Sequence, residues 1–199
     1  YRSSNPCPPS AQAQIRSCTA IRSPWIRSEK ATSACACKRI PRRYARPAIK
    51  AWPLRIKEWD YYCVLTDAYG LALTVADNDY VGFLGVTWLD FGRRVALSEE
   101  VILPLPIGKL RMPESADVGD VAPTHPRLRI AYRHAPGGRR VTVEAPGFDH
   151  GRGLKGELFL AQSPMDRMVI ATPFAGAPKA FYYNQKINCL RADGEAEIG

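Results

Sequence analysis

The sequence predicts an all-β protein whose antiparallel strands form a barrel or a sandwich. From residue 61 onward, apolar residues alternate with polar ones or run in short blocks, as they do in strands. Turn-forming residues separate these blocks, and no segment shows the period of a long helix. The chain has 199 residues, 46% of them hydrophobic, so it is long enough to bury a sizeable core. Barrel closure would also remove exposed sheet edges.

The first half of the predicted β domain holds four strands separated by turns. They are assigned to residues 61–66, 71–76, 80–89 and 95–105. Leu71, Leu73 and Val75 fall on one face of the second strand, so the first two strands are expected to form a hairpin. Pro104 and Pro106 end the fourth strand, because proline cannot donate a hydrogen bond to a sheet.

The second half begins after residues 111–126, an irregular connection rich in proline, aspartate and glycine. Ile130 and Tyr132 alternate with Arg129 and Arg133, which predicts one buried face and one wet face. Residues 147–156 carry four glycines and are predicted to form a loop. The strands of this half are assigned to residues 128–134, 140–145, 157–161, 168–172 and 180–190.

The positive charge of the chain lies almost entirely at its N-terminal end. The formal net charge is +9, and residues 1–50 hold 11 of the 28 basic residues but one of the 19 acidic ones. The same residues lack glycine, leucine and valine, and they hold four of the six cysteines. We therefore divide the chain into an irregular basic segment, residues 1–45, and an antiparallel β domain, residues 46–199.

Three interpretations of segment 1–45 remain open. A disordered basic tail would bind phosphates through its arginines, and its affinity would depend strongly on the salt concentration. A metal site on Cys7, Cys18, Cys35 and Cys37 is disfavoured, because their spacing matches no zinc pattern. A gene read out of frame would explain the unusual composition, and we favour it over the tail.

Other motifs give little support for specific chemistry. Cys63 and Cys189 lie in apolar strand patterns, which indicates buried free thiols in a reducing compartment. His125, His134 and His150 are too far apart in the pattern to suggest a shared site. No cofactor or metal motif is present, so none is expected. Without a signal sequence or an apolar run of membrane length, the prediction is a cytoplasmic protein with no transmembrane segment.

Two segments are dense in polar and aromatic residues. In residues 55–62, a strand would place Trp59 on one face and Glu58, Asp60 and Tyr62 on the other. In residues 179–190, polar residues alternate in the same way. The functional interpretation brings Glu58 or Asp60 to Lys186 and the neighbouring amides inside a barrel, where burial would shift a carboxylate pKa. The alternative is a wet strand face with a surface ion pair worth about 0 to 1 kcal/mol.

Both segments also resemble a known family. The sequences RIKEWDYY at residues 55–62 and FAGAPKAFYYNQKINC at residues 174–189 are similar to the bacterial domain-of-unknown-function family DUF2804, with a resemblance over about residues 44–199. The resemblance implies that this chain is the N-terminal half of a two-barrel protein and is truncated at its C-terminal end. A fold-level similarity to lipocalin-like proteins, such as carotenoid hydratases and tocopherol cyclases, implies an apolar cavity but transfers no catalytic residue.

These observations favour binding of an apolar or amphipathic small molecule, lipid-like or isoprenoid-like, in a barrel cavity. The first alternative is a hydratase, isomerase or cyclase that moves a proton on such a ligand, with Glu58 and Asp60 as candidate catalytic groups. The second is a nucleic-acid-associated protein that uses a genuine basic tail. An open sheet edge could also be covered by dimerisation. The candidate ligand-binding residues are Trp59, Tyr62, Tyr182, Asn184 and Lys186.

Overall fold

The structure is a computed structural model that describes residues 13–14, 18–23, 46–49, 51–52, 54–162, 168–174 and 176–199. These residues form a short 3-10 turn at Arg46–Ala48, a short helical segment α1 at Phe148–Gly151, and thirteen strands. The strands are β1 (Ala13–Gln14), β2 (Cys18–Ser23), β3 (Lys57–Leu65), β4 (Tyr69–Asp77), β5 (Val81–Asp90), β6 (Val95–Pro104), β7 (Thr124–His125), β8 (Leu128–Ala135), β9 (Gly138–Ala145), β10 (Leu154–Ala161), β11 (Met168–Phe174), β12 (Ala177–Ile187) and β13 (Arg191–Ile198).

The strands pair antiparallel in two sheets. A six-stranded sheet has the order β1-β13-β10-β9-β8-β7, and a seven-stranded sheet has the order β11-β12-β2-β3-β4-β5-β6. Four strands of the second sheet, β3 to β6, form a meander of consecutive hairpins. Strand β2 lies between β3 and β12, so residues from both ends of the chain meet in that sheet.

The core lies between the inner faces of the two sheets. Leu73 and Leu84 of the seven-stranded sheet and Leu128 and Ile130 of the six-stranded sheet are fully buried in one apolar cluster. Burial of each such side chain stabilises the fold by roughly 1.5–3 kcal/mol. The two sheets therefore form a sandwich, and they do not close into a barrel within the described ranges.

The structure confirms the all-β antiparallel class and most predicted strands. Ile130 and Tyr132 are buried while Arg129 and Arg133 are exposed, as their alternation predicts. Several boundaries were wrong, among them the start of β3 at Lys57 and the end of β12 at Ile187, and the strands β7 and β13 were not predicted. β10 begins at Leu154, inside the predicted loop 147–156, and β13 follows the strand that was predicted to be the last.

The two cysteines of the β domain differ from each other. Cys63 is a buried free thiol in β3, as predicted, and burial raises the pKa of its thiol. Cys189 was expected to be buried in a strand, but it is exposed and lies between β12 and β13. Its φ of 62° turns the chain at that point, which removes it from the strand pattern.

An irregular segment, residues 111–120, contacts both sheets. We call it the strap. Within it, Ser115 and Val118 form an isolated bridge, and just beyond it Val121 pairs with Tyr132 of β8. The prediction of an irregular connection at residues 111–126 is therefore correct apart from the two residues of β7.

Segment 1–45 contributes β1 and β2 to the sheets, and its remaining residues lie outside the described ones. The interpretations of segment 1–45 as disordered, metal-binding or out of frame stay predictions. In the ranges that the structure describes, no helix is long and apolar enough to cross a membrane.

Candidate functional site

Alternation along β3 divides the candidate residues between the two faces of the seven-stranded sheet. Glu58, Asp60 and Tyr62 point into the sandwich and are at most 3% exposed, whereas Trp59 lies on the outer face. This division matches the sequence prediction for residues 55–62.

Strand β2 decides which face of β12 joins them. Asp60 pairs with Ala20, and Ala20 pairs with Gln185, so Gln185 shares the inner face with Asp60. By the same register, Trp59 shares the outer face with Asn184.

The hypothesis that Glu58 or Asp60 meets Lys186 and the neighbouring amides inside a barrel is therefore wrong for Lys186 and Asn184. Tyr182, Asn184 and Lys186 alternate with Gln185 along β12, so they lie on the opposite side of the sheet from both carboxylates. A sequence pattern gives the alternation within each strand but not the register between strands that are distant in the chain.

On the outer face, the candidate residues do come together. The rings of Trp59 and Tyr182 lie 6.1 Å apart, centroid to centroid. Asn184 is 1% exposed, and its side-chain nitrogen donates to the hydroxyl of Tyr182 over 3.1 Å. Burial raises the pKa of Tyr182.

On the inner face, a buried arginine from the opposite sheet reaches Asp60 and Tyr62. Arg139 of β9 donates through Nη1 to the Tyr62 hydroxyl, and the same nitrogen lies 3.7 Å from Oδ2 of Asp60. Its guanidinium also lies over the Tyr62 ring, 5.6 Å from the centroid. A buried carboxylate needs such a partner, because an isolated charge is costly in a dry interior.

The backbone of Ala116 attaches the strap to this cluster. The amide of Ala116 donates to Oε1 of Gln185 over 3.1 Å, and its carbonyl accepts from Nη2 of Arg139 over 2.8 Å. Ala116 thus bridges the two sheets, because Gln185 belongs to β12 and Arg139 to β9.

His134 completes the cluster, although the sequence had suggested no shared site for it. Its Nε2 lies 2.7 Å from Nη2 of Arg139. The same Nε2 lies 3.3 Å from the carbonyl oxygen of Ala116, and Nδ1 faces Oδ1 of Asp120 at 3.5 Å. The backbone amide of His134 also donates to Asp120, and this hydrogen bond lowers the pKa of that carboxyl.

A small cavity lies beneath the strap. Its volume is about 10 Å³, which is room for about one water molecule. Asp60, Tyr183 and Gln185 line its floor, and strap residues 112–116 cover it. Gln185 is 3% exposed, and its Nε2 has no hydrogen-bond partner among the described residues.

A second buried cluster surrounds Asp79 at the start of β5. Arg46 pairs with Glu58 and with Asp79. Burial acts to lower the pKa of Arg46, but its hydrogen bonds and charge attraction to Glu58 and Asp79 raise that pKa overall. The amides of Leu54 and Ile56 each donate to Oδ2 of Asp79 over 3.1 Å, so this carboxylate also holds the chain that enters β3.

Several of these residues were not predicted from the sequence. Arg139 lies two residues before Val141 and four before Val143, so all three share one face of β9. This alternation could have predicted that Arg139 points inward. Arg46 and Asp79 gave no such signal, since they lie in a turn and between strands. In the described part of the chain, no group of three or more His, Cys, Asp and Glu side chains is arranged to hold a metal ion.

Comparison with known proteins gives one match. The family model described as Domain of unknown function (DUF2804) matches residues 32–199. This region contains both motif segments, residues 55–62 and 174–189, and it begins inside segment 1–45. The match confirms the resemblance that the two motifs indicated. Searches of curated proteins and of solved structures found no match.

Proposed function

We propose a function for this chain, which belongs to the DUF2804 family: it binds a small amphipathic molecule beneath the strap. Asp60 and Gln185, which line the cavity there, would hold the polar end of that molecule. The observation that carries the proposal is the amide nitrogen of Gln185, which is buried beside the small cavity without a partner among the described residues. A buried donor left unsatisfied costs about 1–3 kcal/mol, so a bound group that accepts from it gains this free energy.

The surrounding groups limit the chemistry of the ligand. The side-chain amide of Gln185 offers a donor, and the carboxylate of Asp60, which lines the same cavity, is an acceptor. A ligand group that both donates and accepts, such as a hydroxyl, an amide or a carboxylic acid, would satisfy them together. Met112 and Pro113 of the strap are half-buried and line the same cavity, so they would contact the apolar part.

The ligand would displace the strap in order to enter. The cavity holds about one water molecule, so a larger molecule requires residues 112–116 to move. The strap has no regular hydrogen-bonded ladder, and its two backbone contacts with Gln185 and Arg139 are made by Ala116. Segments with few such contacts open at low free-energy cost.

A binding titration with retinol and with cis-parinaric acid tests this proposal, because the fluorescence of both reports transfer into an apolar site. We expect Gln185→Ala and Met112→Ser to weaken binding roughly tenfold, which corresponds to about 1.4 kcal/mol. Lys186→Ala is the matched control on the opposite face of β12. Unchanged affinity in both test variants, with native circular dichroism, would refute the site.

The outer face offers a second location for the same function. The predicted ligand contacts Trp59, Tyr182, Asn184 and Lys186 are neighbours there, and the Oδ1 atom of Asn184 is buried without a partner among the residues described. The titration separates the two locations. Loss of binding in Trp59→Ala and Lys186→Ala, with Gln185→Ala unaffected, would move the ligand to the outer face.

Proton transfer on the bound ligand is the alternative function that the same cluster supports. Oδ2 of Asp60 lies 3.7 Å from Nη1 of Arg139, and an adjacent guanidinium favours an ionised carboxylate that can act as a base. Glu58, the other candidate, is paired with Arg46. The distinguishing result is a variant, Asp60→Asn, that still binds the ligand but no longer turns it over.

The nucleic-acid alternative rests on segment 1–45. Its basic residues Arg39, Arg42 and Arg43 lie outside the described residues, so the hypothesis depends on charge alone. Binding of the full chain to duplex DNA, compared with the triple variant in which these three become glutamine, would test it. A lower salt dependence in the variant is the expected sign of lost phosphate contacts.

A further inference from the structure

Three loops meet at the end of the sandwich where β4 leads into β5. We call this region the Asp79 end, and it comprises residues 51–52, 54–57, 78–80 and 104–111. The backbone of the first loop is held by Asp79, as described above, and the amide of Ile107 donates to the Asp79 carbonyl over 3.2 Å. The amide of Leu105 donates to the carbonyl of Tyr80 over 3.3 Å. The loops therefore form one connected surface.

Large apolar side chains are concentrated on this surface. Loops are normally polar, and isolated exposed apolar residues need no explanation, but a group of them marks an interaction site. Five large side chains here are between 41% and 74% exposed, and they come from all three loops. They are Trp52, Leu54, Tyr80, Leu105 and Ile107.

The exposed charges among them all have one sign. The acidic residue of this region, Asp79, and the two acidic residues next to the region in the chain, Asp77 and Glu58, are buried and hydrogen-bonded. The exposed charged side chains of the same loops are Arg55, Lys57, Lys109 and Arg111. Lys57 Nζ lies 5.6 Å from the centre of the Tyr80 ring, so basic and aromatic groups are interleaved.

The backbone of these loops holds apolar side chains in a conformation that favours glycine. Leu54, Leu105 and Ile107 have φ values of 78°, 46° and 47°. A leucine or isoleucine held at such a φ costs of order 1–3 kcal/mol, whereas the cost is smallest for glycine and asparagine. Strain of this kind is typical of functional surfaces, and here it accompanies the residues that project apolar groups into water.

We propose that the Asp79 end docks on an anionic membrane surface. Tryptophan and tyrosine favour the boundary between headgroups and acyl chains, and leucine and isoleucine insert just beneath it. The basic side chains around them would contact acidic headgroups while their aliphatic stems remain against apolar surface. The protein would lie on the membrane without crossing it.

The charge pattern argues against a second copy of the chain as the occupant. A two-fold interface at this surface would bring Lys109 and Arg111 towards the same residues of the other copy. Like charges placed together at an interface disfavour association. An anionic lipid surface instead complements all four basic residues, and this proposal is independent of the ligand site beneath the strap.

Cosedimentation of the full chain with vesicles tests the proposal. We expect binding to phosphatidylcholine vesicles that contain about 30% phosphatidylserine, and weak binding to phosphatidylcholine alone. Lys109→Glu with Arg111→Glu should lower the partition coefficient by more than tenfold, because each basic residue near such a surface contributes roughly a fivefold factor. Trp52→Ala with Ile107→Ser should lower it to a similar degree through lost insertion.

The hairpin turn between β5 and β6 supplies matched controls at the opposite end of the sheet. β5 has ten residues, so this turn lies about 33 Å from the Asp79 end. Arg93→Glu with Arg94→Glu repeats the charge change, and Phe91→Ala repeats the apolar one. All are exposed.

The proposal is supported if the variants at the Asp79 end lose binding and the controls keep it. It is overturned if the Arg93 and Arg94 control loses as much as the Lys109 and Arg111 variant, since the binding would then follow net charge. It is also overturned if Trp52→Ala with Ile107→Ser binds like the unaltered chain, or if no variant binds differently. Native circular dichroism is required of every variant compared.

Discussion

The guanidinium of Arg139 donates a hydrogen bond across the sandwich to the hydroxyl of Tyr62, and it also pairs with Asp60. This contact joins the two sheets next to the strap, whose Ala116 carbonyl also accepts from Arg139. The neighbouring rings of Tyr62 and Tyr132 pack with centroids 4.3 Å apart, so the polar contact lies directly against the aromatic core. The charged groups are buried, and removing one of them leaves the other without compensation.

We expect Arg139→Leu to destabilise the fold by about 3–5 kcal/mol, because Asp60 is then buried without its counter-charge. The double variant Asp60→Leu with Arg139→Leu should recover part of this loss, since two apolar side chains replace the pair. Urea unfolding curves of the three proteins give the free energies. A single-variant cost below about 1 kcal/mol would contradict a buried pair.

Asp79 is expected to hold the loop that enters β3 in its folded conformation. Asp79→Ala removes the acceptor of the Leu54 and Ile56 amides and places alanine at a φ of 64°. We expect a loss of about 2–4 kcal/mol from these two causes. Asp79→Asn should lose less, because asparagine tolerates this conformation and keeps one acceptor. Limited trypsin digestion after Arg55 reports the loop directly, and equal cleavage of both variants would contradict this account.

Stability should fall at alkaline pH as Tyr61 ionises. Burial raises the pKa of Tyr61 from 10.0 to about 12, with a hydrogen bond to Cys63 as a smaller cause. The folded state therefore favours the neutral phenol. The contribution of neutral Tyr61 to the free energy of unfolding is fully present below pH 10.0. It is lost as the pH rises towards about 12. Tyr61→Phe lacks the ionising group, so its unfolding free energy should decline less over this range, which urea unfolding at a series of pH values measures.

Gly138, the one glycine of β9, is expected to be hard to replace. A Cβ built there would lie 2.1 Å from the carbonyl oxygen of Leu160, so Gly138→Ala forces backbone to move. We expect a cost of about 1–3 kcal/mol. Gly147→Ala is the control, because nothing lies within 4 Å of a Cβ at that position. Thermal unfolding should separate the two variants by several degrees.

The two cysteines of the β domain should differ in reactivity. Cys189 is exposed, whereas Cys63 is buried and has a raised thiol pKa, which disfavours the reactive thiolate. Brief treatment with iodoacetamide at neutral pH, followed by peptide mass spectrometry, should find the label on Cys189 and not on Cys63. Equal labelling in the folded protein would contradict the burial of Cys63.

Much of the fold could be predicted because alternation is a local property of the sequence. The inward direction of Glu58, Asp60 and Tyr62 follows from their spacing in one strand. β13 was missed because three of the four positions that share the parity of buried Ala192 are small, Ala192, Gly194 and Ala196, and the fourth, Ile198, comes only at its end. These small residues give no apolar signal, although they lie opposite β10 in the sheet.

The candidate site was predictable only in part, because it depends on contacts between distant segments. Asp60 could be identified from β3, but its partner Arg139 is 79 residues away and belongs to the other sheet. The face that Gln185 occupies depends on the register through β2, which no local pattern encodes. Contacts between such distant residues can be identified only when the two sheets are seen packed together.

The central position of β2 also has a consequence for how the chain folds during synthesis. The meander β3 to β6 needs contacts between neighbouring segments only, so it can form while later residues are still being made. β12, by contrast, pairs with residues 18–23. More than 150 further residues are translated before β12 becomes available to them. An early strand that must wait for so late a partner exposes a sheet edge to the ribosome exit and to other nascent chains. We expect a holdase that covers this edge to raise the soluble yield.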